Sequence, residues 1–335
     1  MQSTPHAGPG SGETGGRTVA VLMLVYPDAQ ILDVAGPLEV FSRAARWLRE
    51  HAGQAVPAYS VELVAAEPGP VAMSNGLEFM VRRSYREAGP ADLLLVTGGI
   101  GYGRASADPA LLDWLRERAG AGTVGSICTG SLVLAAAGLL DGREATTHWR
   151  YCDRLAALAP GCRVLPDAIY VESGGFYTSA GVTTGIDMAL AIVERDWGKA
   201  VSVAVAEELV VQRRRPGGDR QRSRHLDAER RDDRLGAIQL WILDNPAADL
   251  SVEALAERAG MSVRHFSRRF RERVGQSPAD YVAEVRLEEA RRRLETGAPL
   301  LKDVARQCGF ADERNLRRAF QRRYGTCPSD FAARS

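Results

Sequence analysis

TVGSICTGSLVLAAAG, residues 123–138, decides how the first part of the chain folds. Its opening residues, Thr123 to Ile127, are a short apolar run that suits a strand buried on both faces. From Leu132 onward, Leu, Val and Ala follow one another as in a helix. Cys128, Thr129 and Gly130 stand between the two. A thiol at such a strand-to-helix turn sits near free backbone N–H groups, and the dipole of the following helix is expected to favour its thiolate. Cys128 is therefore a candidate for chemistry or for the wall of a ligand pocket.

The same alternation extends on both sides. Residues 19–25, 59–65 and 92–96 read as buried strands, with helical stretches at 36–50 and 109–119. Asp108 and Pro109 open the second of these as an N-cap followed by an N1 proline. Residues 169–172 and 176–179, around Gly174-Gly175, suggest a hairpin, and helices at 186–195 and 200–211 close the unit. Strands alternating with helices imply a mainly parallel sheet covered on both faces.

In such a sheet ligands gather at the strand ends. The run LLLVTGG, residues 93–99, ends in Gly98 and Gly99. A backbone N–H from that pair and the N–H of Thr129 would cradle an oxyanion or carboxylate. Asp33, in LDVAGP, follows the first strand. A carboxyl group beside a thiolate has its pKa raised and can hold a proton for it. His148, in ATTHW, lies twenty residues after Cys128 and is a candidate acid or base. Each also has a structural reading: a small buried thiol, a turn cap, a packed histidine.

The chain has 335 residues, 45% of them hydrophobic and 25% charged, which suits a soluble protein of two or three domains. No apolar run approaches the ~20 residues of a membrane span. Residues 1–16, rich in Gly, Ser, Pro and Thr without an apolar core, read as a disordered tail rather than a signal peptide, and a cytoplasmic location is expected. The five cysteines show no CxxC pair, which points to neither a disulfide framework nor a zinc site, and no metal or cofactor is expected.

A net charge of +1 hides a split. Residues 213–335 carry 27 Lys/Arg against 19 Asp/Glu; residues 1–212 carry 16 against 23. One end suits a polyanion and the other does not. Between them, residues 212–234 are arginine-rich and broken by Pro216-Gly217-Gly218, which predicts a flexible linker.

The basic end contains a repeat. Residues 255–281 and 304–331 align as Ala256/Ala305, Gly260/Gly309, Phe266/Leu316, Phe270/Phe320, Gly275/Gly325, Pro278/Pro328 and Tyr281/Phe331. Each copy reads as a short helix, a turn glycine, a small polar cap (Ser262 or Asp312) and a second helix. The second helix buries an i, i+4 apolar pair and presents arginines on its other face: Arg264, Arg268 and Arg269, or Arg314, Arg317 and Arg318. Such a helix fits a major groove and its phosphates. Residues 280–295 form a long amphipathic helix joining the halves.

Residues 236–333 resemble the AraC/XylS family of bacterial transcription regulators, including the G-x-x-P-x-D-aromatic ending of each copy. The resemblance implies two recognition helices in successive major grooves of promoter DNA. Their contacts would come from Arg264, Ser267 and Arg268 in one, and from Glu313, Arg314, Arg317 and Arg318 in the other. Arginine pairs bidentately with guanine, and Glu313 could accept from cytosine. Residues 17–211 resemble the ThiJ/PfpI superfamily through YPDAQILDVAGPLEVF, LLLVTGGIG, SICTGSLVLAAAGLLDGREATTHW and TSAGVTTGIDMAL. That implies a flavodoxin-like α/β fold with Cys128 on a nucleophile elbow, touched by Asp33. Thr129 stands where the PfpI proteases have His, a departure from that subgroup. An Asp–Cys pair with a neighbouring Thr is the pattern of isonitrile hydratase.

The domain order, with residues 235–335 as the DNA-binding part, resembles the GlxA-like regulators. It implies a ligand-responsive regulator that senses a small metabolite, amine- or amino-acid-like by family analogy, in a pocket of Asp33, Gly98, Gly99, Cys128, Thr129 and His148. A homodimer is a family expectation, with RNA polymerase a further partner that the resemblance allows. The alternative is a cysteine-dependent enzyme, a hydratase or hydrolase, carrying a DNA-binding module.

Overall fold

A computed structural model describes residues 17–53, 57–211, 214–229, 234–295 and 300–334. The expected disordered tail, residues 1–16, lies outside them. The chain divides into two compact units, with the boundary between Gln221 and Arg222.

The first unit is built on a seven-stranded sheet. From one edge to the other its strands are Tyr170–Ser173, Phe176–Ser179, Thr123–Ile127, Leu93–Val96, Val19–Leu24, Tyr59–Ala65 and Arg83–Ser84. All neighbours run parallel except the edge hairpin Tyr170–Ser173/Phe176–Ser179. Leu93–Val96 is buried throughout, as a strand covered on both faces must be. The helix Ile31–His51 packs against the helix Thr184–Trp197, and Phe41, Met23, Leu95 and Ile127 are fully buried. Asp108 caps the helix Pro109–Arg118 by accepting from Ala110 N–H at 3.0 Å, as its sequence predicts. A small antiparallel hairpin, Gly69–Ala72 with Glu78–Val81, adds to the expected elements.

The expected flexible linker is corrected over its described part. Residues 214–221 belong to the first unit: the Arg215 guanidinium grips Asp187, and Ile169 N–H donates to Gly217 O at 2.8 Å. Arg224–Glu229 and Arg234–Asp244 are helices of the second unit. Arginines suggested solvation, but the buried Asp187 and carbonyls of the first unit hold residues 214–221, and Arg224 pairs with Glu284 and Glu288 in the second.

The second unit carries the duplication. Its short helices Val252–Arg258 and Leu301–Gln307 are each followed by a glycine in the left-handed region, Gly260 at φ +65° and Gly309 at φ +74°. Ser262 and Asp312 then cap the second helices, Val263–Val274 and Glu313–Tyr324, by accepting from the N–H groups of His265 and Asn315. Each copy has its own core, one around Phe266, Phe270 and Tyr281, the other around Leu316, Phe320 and Leu294. The helix Pro278–Glu295 supplies Tyr281, Val282 and Val285 to the first and Leu287, Ala290 and Leu294 to the second. No helix among the described residues is long and apolar enough to cross a membrane.

Candidate ligand and nucleic-acid sites

Three adjacent parallel strands end side by side, and the elbow forms where they do. Thr123–Ile127 is followed at once by Cys128, at φ +53°, and then by the helix Gly130–Ala136. A positive φ on a residue with a side chain is strained, and it turns the thiol out of the strand line. Three bonds fix the turn. Cys128 N–H donates to Ser179 O at 2.9 Å. Thr147 Oγ1 and Ser131 Oγ donate to Cys128 O at 2.9 and 3.1 Å.

Backbone closes on the cysteine from both sides. A methyl group at Gly181 would lie 2.2 Å from Cys128 Cβ, and one at Gly98 would lie 2.6 Å from it and 2.7 Å from Asp33 Oδ2. Only glycine fits at either position.

Asp33 sits in the first turn of Ile31–His51 and is 0% exposed. Its Oδ1 accepts from Val182 N–H at 2.7 Å, whereas Oδ2 is buried next to Gly98 and Cys128 without a hydrogen bond of good geometry. Burial pushes the Asp33 carboxyl up to about 6, against the pull of the Val182 and Gly98 N–H groups and the Cys128 thiol. Burial and the neighbouring Asp33 push the Cys128 thiol up to about 12, against the pull of Thr129. This corrects the expected thiolate. The helix after Cys128 has seven residues, and its N-terminus does not offset desolvation at 8% exposure. Burial and Asp33 thus favour the thiol over the thiolate at the elbow.

Thr129 Oγ1 donates to Gly99 O and accepts from Gly99 N–H, both at 2.9 Å. The expected cradle is thereby reduced, because the Gly99 N–H is already used. The Thr129 N–H remains directed at the thiol. His148 is half-buried and caps the turn Trp149–Tyr151, its Nδ1 accepting from Arg150 N–H at 3.3 Å. Burial and Arg150 lower its pKa. It makes no hydrogen bond to Cys128 or Asp33, so the structure does not bring it to the thiol as an acid or base. With Tyr151, which meets Tyr102 edge-on at 5.4 Å, it forms an aromatic wall.

Tyr26, absent from the sequence expectation, is a further polar group of this region. Its hydroxyl donates to Thr97 O at 2.7 Å, and burial together with Asp33 and Cys128 raises its pKa. Its place after the first strand, two residues before Asp28, was the available signal. An open groove of about 490 Å³ between Ile31–His51 and Tyr59–Ala65, lined by Arg46, Arg49 and Tyr59, contains none of these groups.

In the second unit both second helices bury their apolar pairs, Phe266/Phe270 and Leu316/Phe320, and expose their arginines. Arg264, Arg268, Arg314, Arg317 and Arg318 are exposed, and Ser267 and Glu313 are partly so. Glu313 pairs with Arg317 at 3.3 Å, and Arg318 donates to Asn315 Oδ1 at 2.6 Å. Ser267 and Arg268 line a groove with Val252 and Ser277. The fold thus places each candidate arginine where a duplex could reach it.

Comparison with known proteins agrees with both halves. Residues 19–195 match the DJ-1/PfpI family, and residues 255–334 match a helix-turn-helix domain. The chain is 33% identical to the HTH-type transcriptional regulator CdhR of Pseudomonas aeruginosa over 82% of each protein. It is 38% identical to isonitrile hydratase of Pseudomonas putida over 51% of this chain and 69% of that one. A crystal structure of a ThiJ/PfpI family protein from Pseudomonas syringae superposes with a TM-score of 0.53 at 27% identity, covering 63% of this chain and 85% of that chain. With a DJ-1/PfpI domain ahead of a helix-turn-helix domain, and regulators of the CdhR and GlxA kind among its relatives, the chain belongs to the DJ-1/PfpI family as an HTH-type transcriptional regulator.

Proposed function

We propose that the chain is a ligand-responsive regulator that grips promoter DNA with Val263–Val274 and Glu313–Tyr324 in successive major grooves and senses a small metabolite at the Cys128 elbow. The observation that carries the sensing role is the Cys128 thiol set beside the fully buried Asp33 carboxyl, whose Oδ2 makes no hydrogen bond of good geometry. A buried acceptor whose hydrogen bonding is incomplete is costly, and a ligand donor completes it. An amine or amide suits that oxygen. Arg264, Ser267 and Arg268, with Glu313, Arg314, Arg317 and Arg318, are the proposed DNA contacts. Cys128, Asp33, Thr129, Gly98 and Gly99 form the floor of the pocket, with His148 in its aromatic wall. The ligand acts through unequal affinity for two arrangements of the protein. The reading includes a cytoplasmic homodimer that works with RNA polymerase.

A second reading, a cysteine-dependent hydratase or hydrolase, is favoured by one observation, the strained backbone of Cys128. Replacement Cys128→Ala separates the two. A sensor keeps operator binding and most of its reporter response. An enzyme keeps operator binding but loses all turnover of an isonitrile or amide substrate. Loss of DNA binding by the wild-type chain at low ionic strength would refute the regulator.

A further inference from the structure

The segment 214–221 is fastened to the first unit at two places, and each fastening touches a loop that holds the elbow. At the first, Arg215 N–H donates to Asp187 Oδ1 at 3.1 Å, and its guanidinium donates to Asp187 Oδ2 at 2.5 and 3.0 Å and to Thr183 Oγ1 at 3.2 Å. Thr183 follows Val182, whose N–H holds Asp33, and Gly181, which presses on Cys128. At the second, the side-chain amide of Gln221 lies 2.8 Å from Thr147 O and 3.1 Å from Thr146 Oγ1, and within 3.0 Å of Pro166 O and Ala168 O. Thr147 in turn holds the carbonyl of Cys128. Both fastenings therefore stand a single residue or side chain away from the elbow.

The next anchor belongs to the helical unit. Arg224, 10% exposed in its side chain, donates to Glu284 at 2.6 Å and Glu288 at 3.0 Å and lies over the Tyr281 ring. These three residues sit on Pro278–Glu295, the helix shared by both apolar cores of the duplication. The chain passes from Gln221 to Arg224 in three residues.

We infer that residues 214–221 are a latch through which the elbow controls the helical unit: an occupant beside Cys128 displaces the Gly181–Thr183 and Thr146–Thr147 loops and frees Arg215 and Gln221. The physical reason is the absence of slack. Neither Gly98 nor Gly181 leaves room for a methyl group beside Cys128, so a displaced elbow must push its neighbours. This inference rests on the elbow being the sensing site.

Iodoacetamide serves as the probe, in the full chain with Cys152→Ala, Cys162→Ser, Cys308→Ala and Cys327→Ser, so that Cys128 is the one thiol left to react. At pH 9 the Cys128 sulfur bonds to the acetamide carbon, iodide leaves and the thiol proton passes to solvent. The mass of the tryptic peptide 119–143 reports the adduct. Two readouts follow: hydrogen exchange of the amides of Arg215, Asp219 and Gln221, and affinity for a duplex selected from a random pool by the unmodified chain. The adduct should raise exchange at these amides at least tenfold and change the duplex Kd at least fivefold. In Gln221→Ala and in Arg215→Ala, each checked by thermal melting, the Kd should no longer respond to the adduct. Unchanged exchange overturns the latch, and so does a Kd response that persists in both variants. If no duplex is selected, the DNA reading fails, while the exchange readout still decides the latch.

Discussion

Val182 N–H donates to Oδ1 of Asp33 at 2.7 Å across 149 positions of sequence, and the other carboxyl oxygen is left buried without a hydrogen bond of good geometry. One half of the carboxyl group thus builds the elbow loop, and the other half lies next to Gly98 at the thiol. The division also has a cost in stability, which can be measured.

Burial raises Asp33 from 3.8 to about 6, so folding disfavours its ionised form. The sign follows from linkage: the native state binds the proton more tightly, so its contribution is complete below pH ~4 and is lost as pH rises through about 6. A rise of this size corresponds to at most about 3 kcal/mol. Asp33→Asn keeps an acceptor for Val182 N–H and cannot ionise. Denaturant unfolding of the first unit should show this variant equal to wild type near pH 4 and more stable by up to ~3 kcal/mol at pH 7. Equal stability at both pH values would contradict the assignment.

For Cys128, pushed up to about 12, the thiolate fraction at pH 8 is on the order of 10⁻⁴. Its alkylation by iodoacetamide should be slow and should rise about tenfold per pH unit through pH 10. A plateau below pH 8 would mean a resting thiolate and would favour the enzyme.

Gly181→Ala places a methyl group on Cys128 Cβ at a φ of +94°. Steric overlap and backbone strain together should cost at least about 3 kcal/mol, read as a lower melting temperature. A neutral effect would show that the elbow is loosely packed.

Arg314→Ala and Arg318→Ala should each weaken specific binding by about 1–3 kcal/mol if they read bases, and relax preference at one position. Arg317→Ala should act alike on all sequences if that side chain meets phosphate, and should reduce the salt slope by about 1. Gel shifts across a series of salt concentrations distinguish the two patterns. Wild-type binding itself should fall steeply with salt.

Much of this architecture was legible in the sequence. The duplicated helices, their caps at Ser262 and Asp312, and the strand-to-helix turn at Cys128 all depend on local chemistry: a glycine that turns the chain, a hydroxyl or carboxylate that caps it, an apolar pair at i and i+4. The state of the thiol was not legible. Helix dipole and burial act in opposite directions there, and the extent of burial depends on packed neighbours from distant parts of the chain. His148 looked like a proton carrier because of its type, whereas its ring was already committed to capping a turn. Residues 214–221 looked like a linker because composition does not reveal a buried Asp187 or a cluster of carbonyls elsewhere in the chain.

The helix Pro278–Glu295 has 18 residues and takes part in both cores of the duplication. At 1.5 Å per residue it is about 27 Å long, somewhat less than one turn of B-form duplex. If both second helices read DNA as proposed, such a helix works as a ruler. It would fix the pitch at which two short words of sequence can be read together, so inserting half a turn between them should abolish recognition even when every letter is kept.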